Sequence, residues 1–270
     1  MSGGRAEPRP ALPPVAVPSA VAVIAAGRPA RVVWENRFGG LTWEVGAGAD
    51  RCFVKWAPAS AAAEVIREAA RLAWAWPYTP VPRLTGQGAD AAGSWLVTAA
   101  LPGENAAAPR WRARPRTAVR AIGEGLRAMH EALPAGSCPF SWSAADRLAE
   151  LRGQLRDGGI DRDSWPGARR GLRADRVLEL LADVPPADRL VVCHGDSCAP
   201  NTLLTQDGRW SAHVDLGALG TADRWADLAI ATWSATVNYG SGWESELLDA
   251  YGIRPDPDRN RYYRLLGRCW

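Results

Sequence analysis

The stretch Val191–Gly217, VVCHGDSCAPNTLLTQDGRWSAHVDLG, decides how the rest of the chain is read. An apolar run, Leu190 to Cys193, delivers the chain into His194-Gly195-Asp196, and Asn201 follows five residues after Asp196. Leu203-Leu204, then Asp207-Gly208, then Val214-Asp215-Leu216-Gly217 predict two short strands joined by a tight turn, because Gly takes φ > 0 freely and Asp tolerates it. Asp196, Asn201 and Asp215 then fall at strand ends that a hairpin gathers. Phosphoryl transfer needs such a set: a carboxylate to take the proton of an acceptor hydroxyl, and oxygen ligands to hold Mg²⁺ on nucleotide phosphates. His-Gly-Asp alone is a weak signal, and a lone Asp-x-Gly is commoner as a turn. The combination in this spacing carries the reading.

His194-Gly195-Asp196-Ser197-Cys198-Ala199-Pro200-Asn201 and Val214-Asp215-Leu216-Gly217 are followed by Leu219-Gly220-Thr221-Ala222-Asp223-Arg224 and Asp227-Leu228-Ala229. Together they resemble the aminoglycoside phosphotransferases, especially those acting on a 3′ or 3″ hydroxyl, which are protein-kinase-like enzymes. The resemblance implies an α+β, bilobal protein-kinase-like fold: a small antiparallel-sheet N-lobe with one helix and a larger, mainly helical C-lobe. It also implies Asp196 as catalytic base, Asn201 and Asp215 as Mg²⁺ ligands, and His194 and Asp227 as structural support for the loop. Without it, Asp223 and Asp227 read as ordinary helix-start charges.

Composition narrows the class. A chain of 270 residues can bury a sizeable core in one large or two small domains. It contains no apolar run of about eighteen residues, so no membrane-spanning helix is expected. The net charge of +3, with acids and bases interspersed, is too mild to make nucleic acid the main partner. The cysteines, Cys52, Cys138, Cys193, Cys198 and Cys269, are odd in number and form no C-x-x-C pair, which favours free thiols in a reducing cytoplasm. The proline-rich head predicts disorder over residues 1–25 rather than a secretory signal.

Among the 32 Lys and Arg residues only Lys55 is a lysine. A site that demands a compact ammonium would resist such a bias toward arginine. Lys55 lies in the β-like segment Arg51 to Trp56, preceded by two more, Arg31 to Trp34 and Leu41 to Gly46, with Phe38-Gly39-Gly40 at the tip between them. Such a tip can bring backbone N–H groups to phosphate oxygens. Hairpin, loop and lysine strand match the small lobe of the kinase-like fold, where the lysine pairs the α- and β-phosphates.

Ser60 to Trp76 predicts a helix with Glu64 and Glu68 on one face, and the resemblance selects Glu68 as the partner of Lys55. Val81 to Leu84 and Trp95 to Thr98 predict two further strands. The resemblance makes the following residues a hinge, with the backbone at Thr98 and Ala100 bonding adenine and Phe53 stacking on it; a plain core aromatic is the other reading of Phe53.

Val119, Ile122, Leu126 and Met129 give Thr117 to Leu133 a helical period, and His130 on it reads as structural. Helices are expected over 142–157 and 171–182, then over 225–237, 244–251 and from 258 onward. The loop with Asp157, Asp161 and Asp163 is either simply solvated or, as the resemblance implies, binds a polycationic sugar through its carboxylates. Ala218 and the tail Gly267 to Trp270 depart from the family pattern, which bears on the substrate more than on the chemistry.

The expected organisation is an N-lobe over 26–100 and a C-lobe over 101–270, with ATP and Mg²⁺ between them, in a monomer or weak dimer. The expected activity is ATP-dependent O-phosphorylation of a cationic aminoglycoside antibiotic, conferring resistance. A kinase of another hydroxylated small molecule and a non-catalytic nucleotide-binding module are the alternatives.

Overall fold

The computed structural model describes residues 16–36, 39–156, 169 and 171–267. The chain divides into two units, Met1–Ile66 with Leu84–Ala100, and Arg67–Arg83 with Leu101–Trp270. The sequence reading drew its first lobe over 26–100, whereas residues 67–83 group with the second unit.

The first unit is built on an antiparallel sheet ordered β1-β2-β3-β5-β4. Its strands are β1 (Ala30–Glu35), β2 (Leu41–Val45), β3 (Cys52–Pro58), β4 (Leu84–Ala89) and β5 (Gly93–Ala99). Strand alternation sorts the side chains by face. Val54 enters a cluster with Trp43 and Val45, while Phe53 and Lys55 point the other way, opposite Thr98 and Leu96 of β5.

The helix α1 (Ser19–Ala25) covers the Val54 face. Part of the segment expected to be disordered is therefore folded. Pro18 precedes its first turn, Val21 and Ala25 recur on one buried face, and Ala26 and Gly27 end it with positive φ. The strand expected at Val81–Leu84 begins only at Leu84 and runs through two glycines. Gly88 lies opposite Trp95, whose indole occupies the space a Cβ would need. Glycine is therefore a packing requirement there rather than a turn signal.

The helix α2 (Ala62–Ala75) starts in the first unit and ends in the second. The second unit continues with β6 (Glu104–Asn105), α3 (Pro109–Arg112), α4 (Pro115–Ala132), α5 (Ala144–Arg156) and α6 (Ala174–Leu181). After these come β7 (Leu190–Cys193), β8 (Thr202–Leu204), β9 (Trp210–His213), β10 (Gly220–Asp223), α7 (Trp225–Tyr239), α8 (Glu244–Tyr251) and α9 (Pro257–Leu266).

The apolar stripe of α4 is buried as its period required, with Val119, Ile122, Leu126 and Met129 at most 2 % exposed. Helix α7 is apolar nearly all round and is buried on almost every side, as such a helix must be. Two small sheets, β6-β8-β9 and β7-β10, carry the loops of interest. Strand β10 was not anticipated. It pairs antiparallel with β7 and places Asp223 opposite Leu190, so Asp223 ends a strand while its Oδ1 accepts from Trp225 N–H at the start of α7, at 3.1 Å.

Candidate active site

Strand β7 buries Val191, Val192 and Cys193 and hands the chain to His194, itself fully buried. Gly195 then has φ +82°, and a Cβ there would run into the carbonyl of Ala218, so only glycine fits this turn. The loop hangs on one buried carboxylate. Asp227 Oδ2 accepts from His194 N–H at 2.6 Å, and Oδ1 accepts from Gly195 N–H at 2.9 Å. Ser197 Oγ donates to the Asp227 carbonyl at 2.7 Å. From α4, His130 Nε2–H donates to Oδ2 at 3.0 Å. Burial would raise the Asp227 pKa, but the bonds from His130 and the loop amides hold it below the ordinary carboxylate value. Asp227 is thus a buried charge with its hydrogen bonds satisfied, the condition under which such a charge persists.

His194 fixes the next turn. Its Nδ1 accepts from Asp196 N–H at 3.2 Å while Nε2–H donates to the Val214 carbonyl at 3.0 Å, linking the loop to the end of the hairpin. Asn201 Nδ2 donates to Asp196 Oδ2 and to the Asp196 carbonyl, each at 2.9 Å. Oδ1 of Asp196 has no hydrogen-bond partner among the described residues. Burial, and then the nearby charge of Asp215, push the Asp196 carboxyl above its ordinary pKa. A carboxylate raised in this way, with one oxygen oriented by Asn201 and the other buried without a partner among the described residues, is suited to accept a proton.

The hairpin beyond Asn201 closes through a loop over residues 205–209, longer than the two-residue turn expected, with Gly208 at φ +86°. Strand β9 stops at His213, and Val214 N–H donates to the Asn201 carbonyl at 3.0 Å. That bond brings the Asp215 segment beside Asn201. Asp215 takes φ +67°, which is uncommon for a residue with a Cβ and tolerated by Asp. Asp215 and Asn201 carry side-chain oxygens of the hard type that Mg²⁺ prefers and could hold such an ion, which would offset the Asp215 charge that, after burial, raises Asp196. Glu68 of α2 is 7 % exposed and lies against the same segment, its Oε2 3.8 Å from where a Cβ of Gly217 would be. Nearby, Arg71 Nε donates to the Leu219 carbonyl at 2.7 Å.

In the first unit, Lys55 lies on β3 between Thr42 and Leu96, on the face of the sheet opposite α1. Phe53 is half-buried on that same face. Thr98 is paired in register with both Phe53 and Leu84, and Ala100 N–H donates to the Arg51 carbonyl at 3.3 Å. The glycine tip also turns inward. Gly40 N–H donates to Asn36 Oδ1 at 2.8 Å and Gly39 N–H to the Asn36 carbonyl at 3.2 Å. Phe38, Asp157, Asp161 and Asp163 lie outside the described residues.

The model of the phosphotransferase enzyme family matches residues 34–263. The chain belongs to that family. It is 39 % identical over 220 residues to an aminoglycoside 3′-phosphotransferase of Streptomyces fradiae, covering 78 % of this chain and 81 % of that one. It is 35 % identical over 226 residues to a streptomycin 3″-kinase of Streptomyces griseus, covering 78 % and 82 %. Among solved structures it is similar to an aminoglycoside phosphotransferase of Streptomyces rimosus in complex with ADP and streptomycin, with a TM-score of 0.71 and 29 % identity over 86 % of this chain and 92 % of that one. The fold is the α+β, protein-kinase-like one of the family, and the protein is an enzyme of the phosphotransferase class.

Several residues that shape the loop were not singled out from the sequence. Ser234 of α7 accepts from Ala199 N–H at 2.9 Å, and Tyr251 Oη lies 2.8 Å from His130 Nδ1. A serine inside an apolar helix was the available sign for the first. His130, Cys193 and Asp227 have potential metal-ligating atoms within 4.8 Å of one another. The trio reads as a hydrogen-bonding hub in this family member, because both His130 nitrogens and both Asp227 oxygens already have partners.

Proposed function

We propose that the protein transfers the γ-phosphoryl group of ATP to a hydroxyl of an aminoglycoside antibiotic, in the cytoplasm, and so confers resistance. The observation that carries the residue assignment is the Asp196 carboxylate, with Oδ2 held by Asn201 and Oδ1 buried without a partner among the described residues. The similarity to 3′- and 3″-acting relatives supports the substrate class.

Asp196 Oδ1 would accept the hydrogen bond of the acceptor hydroxyl and take its proton as the oxygen attacks phosphorus. Its raised pKa makes it the stronger base for that purpose. Asn201 Oδ1 and the Asp215 carboxylate would hold Mg²⁺, which when bound neutralises charge on the nucleotide phosphates. Lys55 would pair with the α- and β-phosphates. Asp227, His130 and His194 would hold the loop in register without touching substrate.

Purified protein supplied with ATP, Mg²⁺ and a panel of aminoglycosides should yield singly phosphorylated product by mass spectrometry. Absence of turnover on every aminoglycoside, with turnover on another hydroxylated antibiotic, would move the substrate assignment and leave the residue roles in place.

A further inference from the structure

Apart from the loop just described, the second unit has a cleft of about 140 Å³ lined by Arg127, Glu131, Arg189, Arg224, Tyr251 and Gly252, among others. Three guanidinium groups and one carboxylate, Glu131, line it. Arg127 Nε donates to Glu131 Oε1 at 3.0 Å, and Arg224 Nε donates to Asp188 Oδ2 at 2.6 Å. Arg189 is held beside Arg224 by its carbonyl, which accepts from Arg224 N–H at 2.9 Å. Its own guanidinium has no hydrogen bond or ion pair among the described residues.

Both ion pairs use the Nε edge. A guanidinium carries five N–H donors, so Arg127 and Arg189 in particular retain donors that point at no protein acceptor. Gathering like charges costs Coulomb energy that a bound anion recovers. The volume is below the roughly 300–1,000 Å³ of pockets for drug-sized ligands, which suits one tetrahedral oxyanion and not a nucleotide.

We propose that this cleft binds a phosphate dianion, free or as the phosphate of a small monoester, with Arg189 as the main partner and Arg127 and Arg224 completing the fork. Bidentate guanidinium–phosphate pairing is the chemistry that such a set of planar donors serves. The cleft shares none of the residues assigned to phosphoryl transfer, but its floor touches their support. Tyr251 is 2.8 Å from His130 Nδ1, and His130 in turn donates to Asp227 at 3.0 Å.

The test is a titration of the full chain with inorganic phosphate, and separately with glycerol phosphate, at constant ionic strength, followed by ³¹P line broadening. The same titrations are run on Arg189→Glu, on Arg189→Gln and on Arg176→Glu, which makes the same charge change on the exposed face of α6 outside the cleft. Phosphate bound elsewhere is common to all four proteins. Saturable binding in the parent that weakens at least about tenfold in both Arg189 variants and persists in Arg176→Glu is the expected result. Tighter binding of glycerol phosphate identifies a monoester as the source, and tighter binding of inorganic phosphate identifies the free ion. Absence of saturable binding, or equal binding in Arg189→Glu and the parent, overturns the proposal. Loss of binding in Arg176→Glu as well would show general electrostatics and would also overturn it. Aminoglycoside turnover is read separately, so its failure and the failure of this site are distinguishable.

Discussion

Two loops of this chain were expected to handle phosphate, and they are built on opposite plans. The 194–201 loop is anchored from behind by Asp227, a fully buried charge from another helix, and its turns are fixed by Gly195 and His194. At the β1–β2 tip the hydrogen bonds are local: Asn36 accepts from both glycine amides. Preorganisation belongs where charge develops in the transition state, since a donor or base that must first move gives up part of its advantage. The first loop is already set in place, whereas the amides of the second must leave Asn36 before they can meet a phosphate.

Four substitutions sharpen or break this contrast. The largest effect belongs to the proposed base: Asp196→Ala should lower turnover at least about a hundredfold while nucleotide binding, followed by titration calorimetry, is little changed. Preserved turnover would remove Asp196 from its role. Next comes the anchor. Asp227→Ala leaves the His194 and Gly195 amides and the His130 ring without their buried acceptor, and should cost about 3–5 kcal/mol in urea unfolding. A loss no larger than that for an exposed carboxylate would show that the loop holds itself.

The third effect is a pH dependence. His213, buried at the end of β9 with His194 packed edge-on against its ring, has its pKa pushed well below the ordinary imidazole value by burial and then by His194. The unfolded chain therefore binds the proton first. Stability is full above the unfolded value of about 6.5 and falls as pH drops below it toward the folded value, by up to about 1.4 kcal/mol per pH unit. Urea midpoints at pH 7.5 and 5.5 should differ in the parent, and by less in His213→Phe. The smallest effect is at the other loop. Asn36→Ala should cost no more than about 1 kcal/mol of stability and lower the KM for nucleotide, because Gly40 N–H no longer has to leave Asn36. A higher KM would mean that the inward-turned amides are the working arrangement.

What the sequence disclosed follows the range of the interactions concerned. Asp196, Asn201 and Asp215 lie within one short stretch, and glycine and apolar spacing there specify turns and strands locally, so that these three are gathered could be read from the string. The asymmetry of its support could not. Asp227 reaches back to Gly195 and across to His130, pairings of loop and helices that no local period encodes. Strand β10, Gly-Thr-Ala-Asp, has no alternation to betray it and exists because β7 needs a partner. Strand β4 was hidden by its two glycines, of which Gly88 is demanded by the Trp95 indole, while α1 was lost in a proline-rich composition whose last part still presents Val21 and Ala25 on one face. Asn36 was readable in principle, since a short amide at a hairpin tip commonly caps its own backbone.

Cys193 sits directly behind the His-Gly-Asp turn, fully buried, its Sγ donating to the Asp223 carbonyl at 3.4 Å, and burial keeps the thiol protonated well past its usual range. An alkylating reagent can label it only in molecules in which the packing around the end of β7, including its pairing with β10, has opened. The rate at which mass spectrometry finds the Cys193 peptide modified is therefore a clock for opening of the structure next to the His194–Asn201 loop, supplied by the protein without any engineered probe.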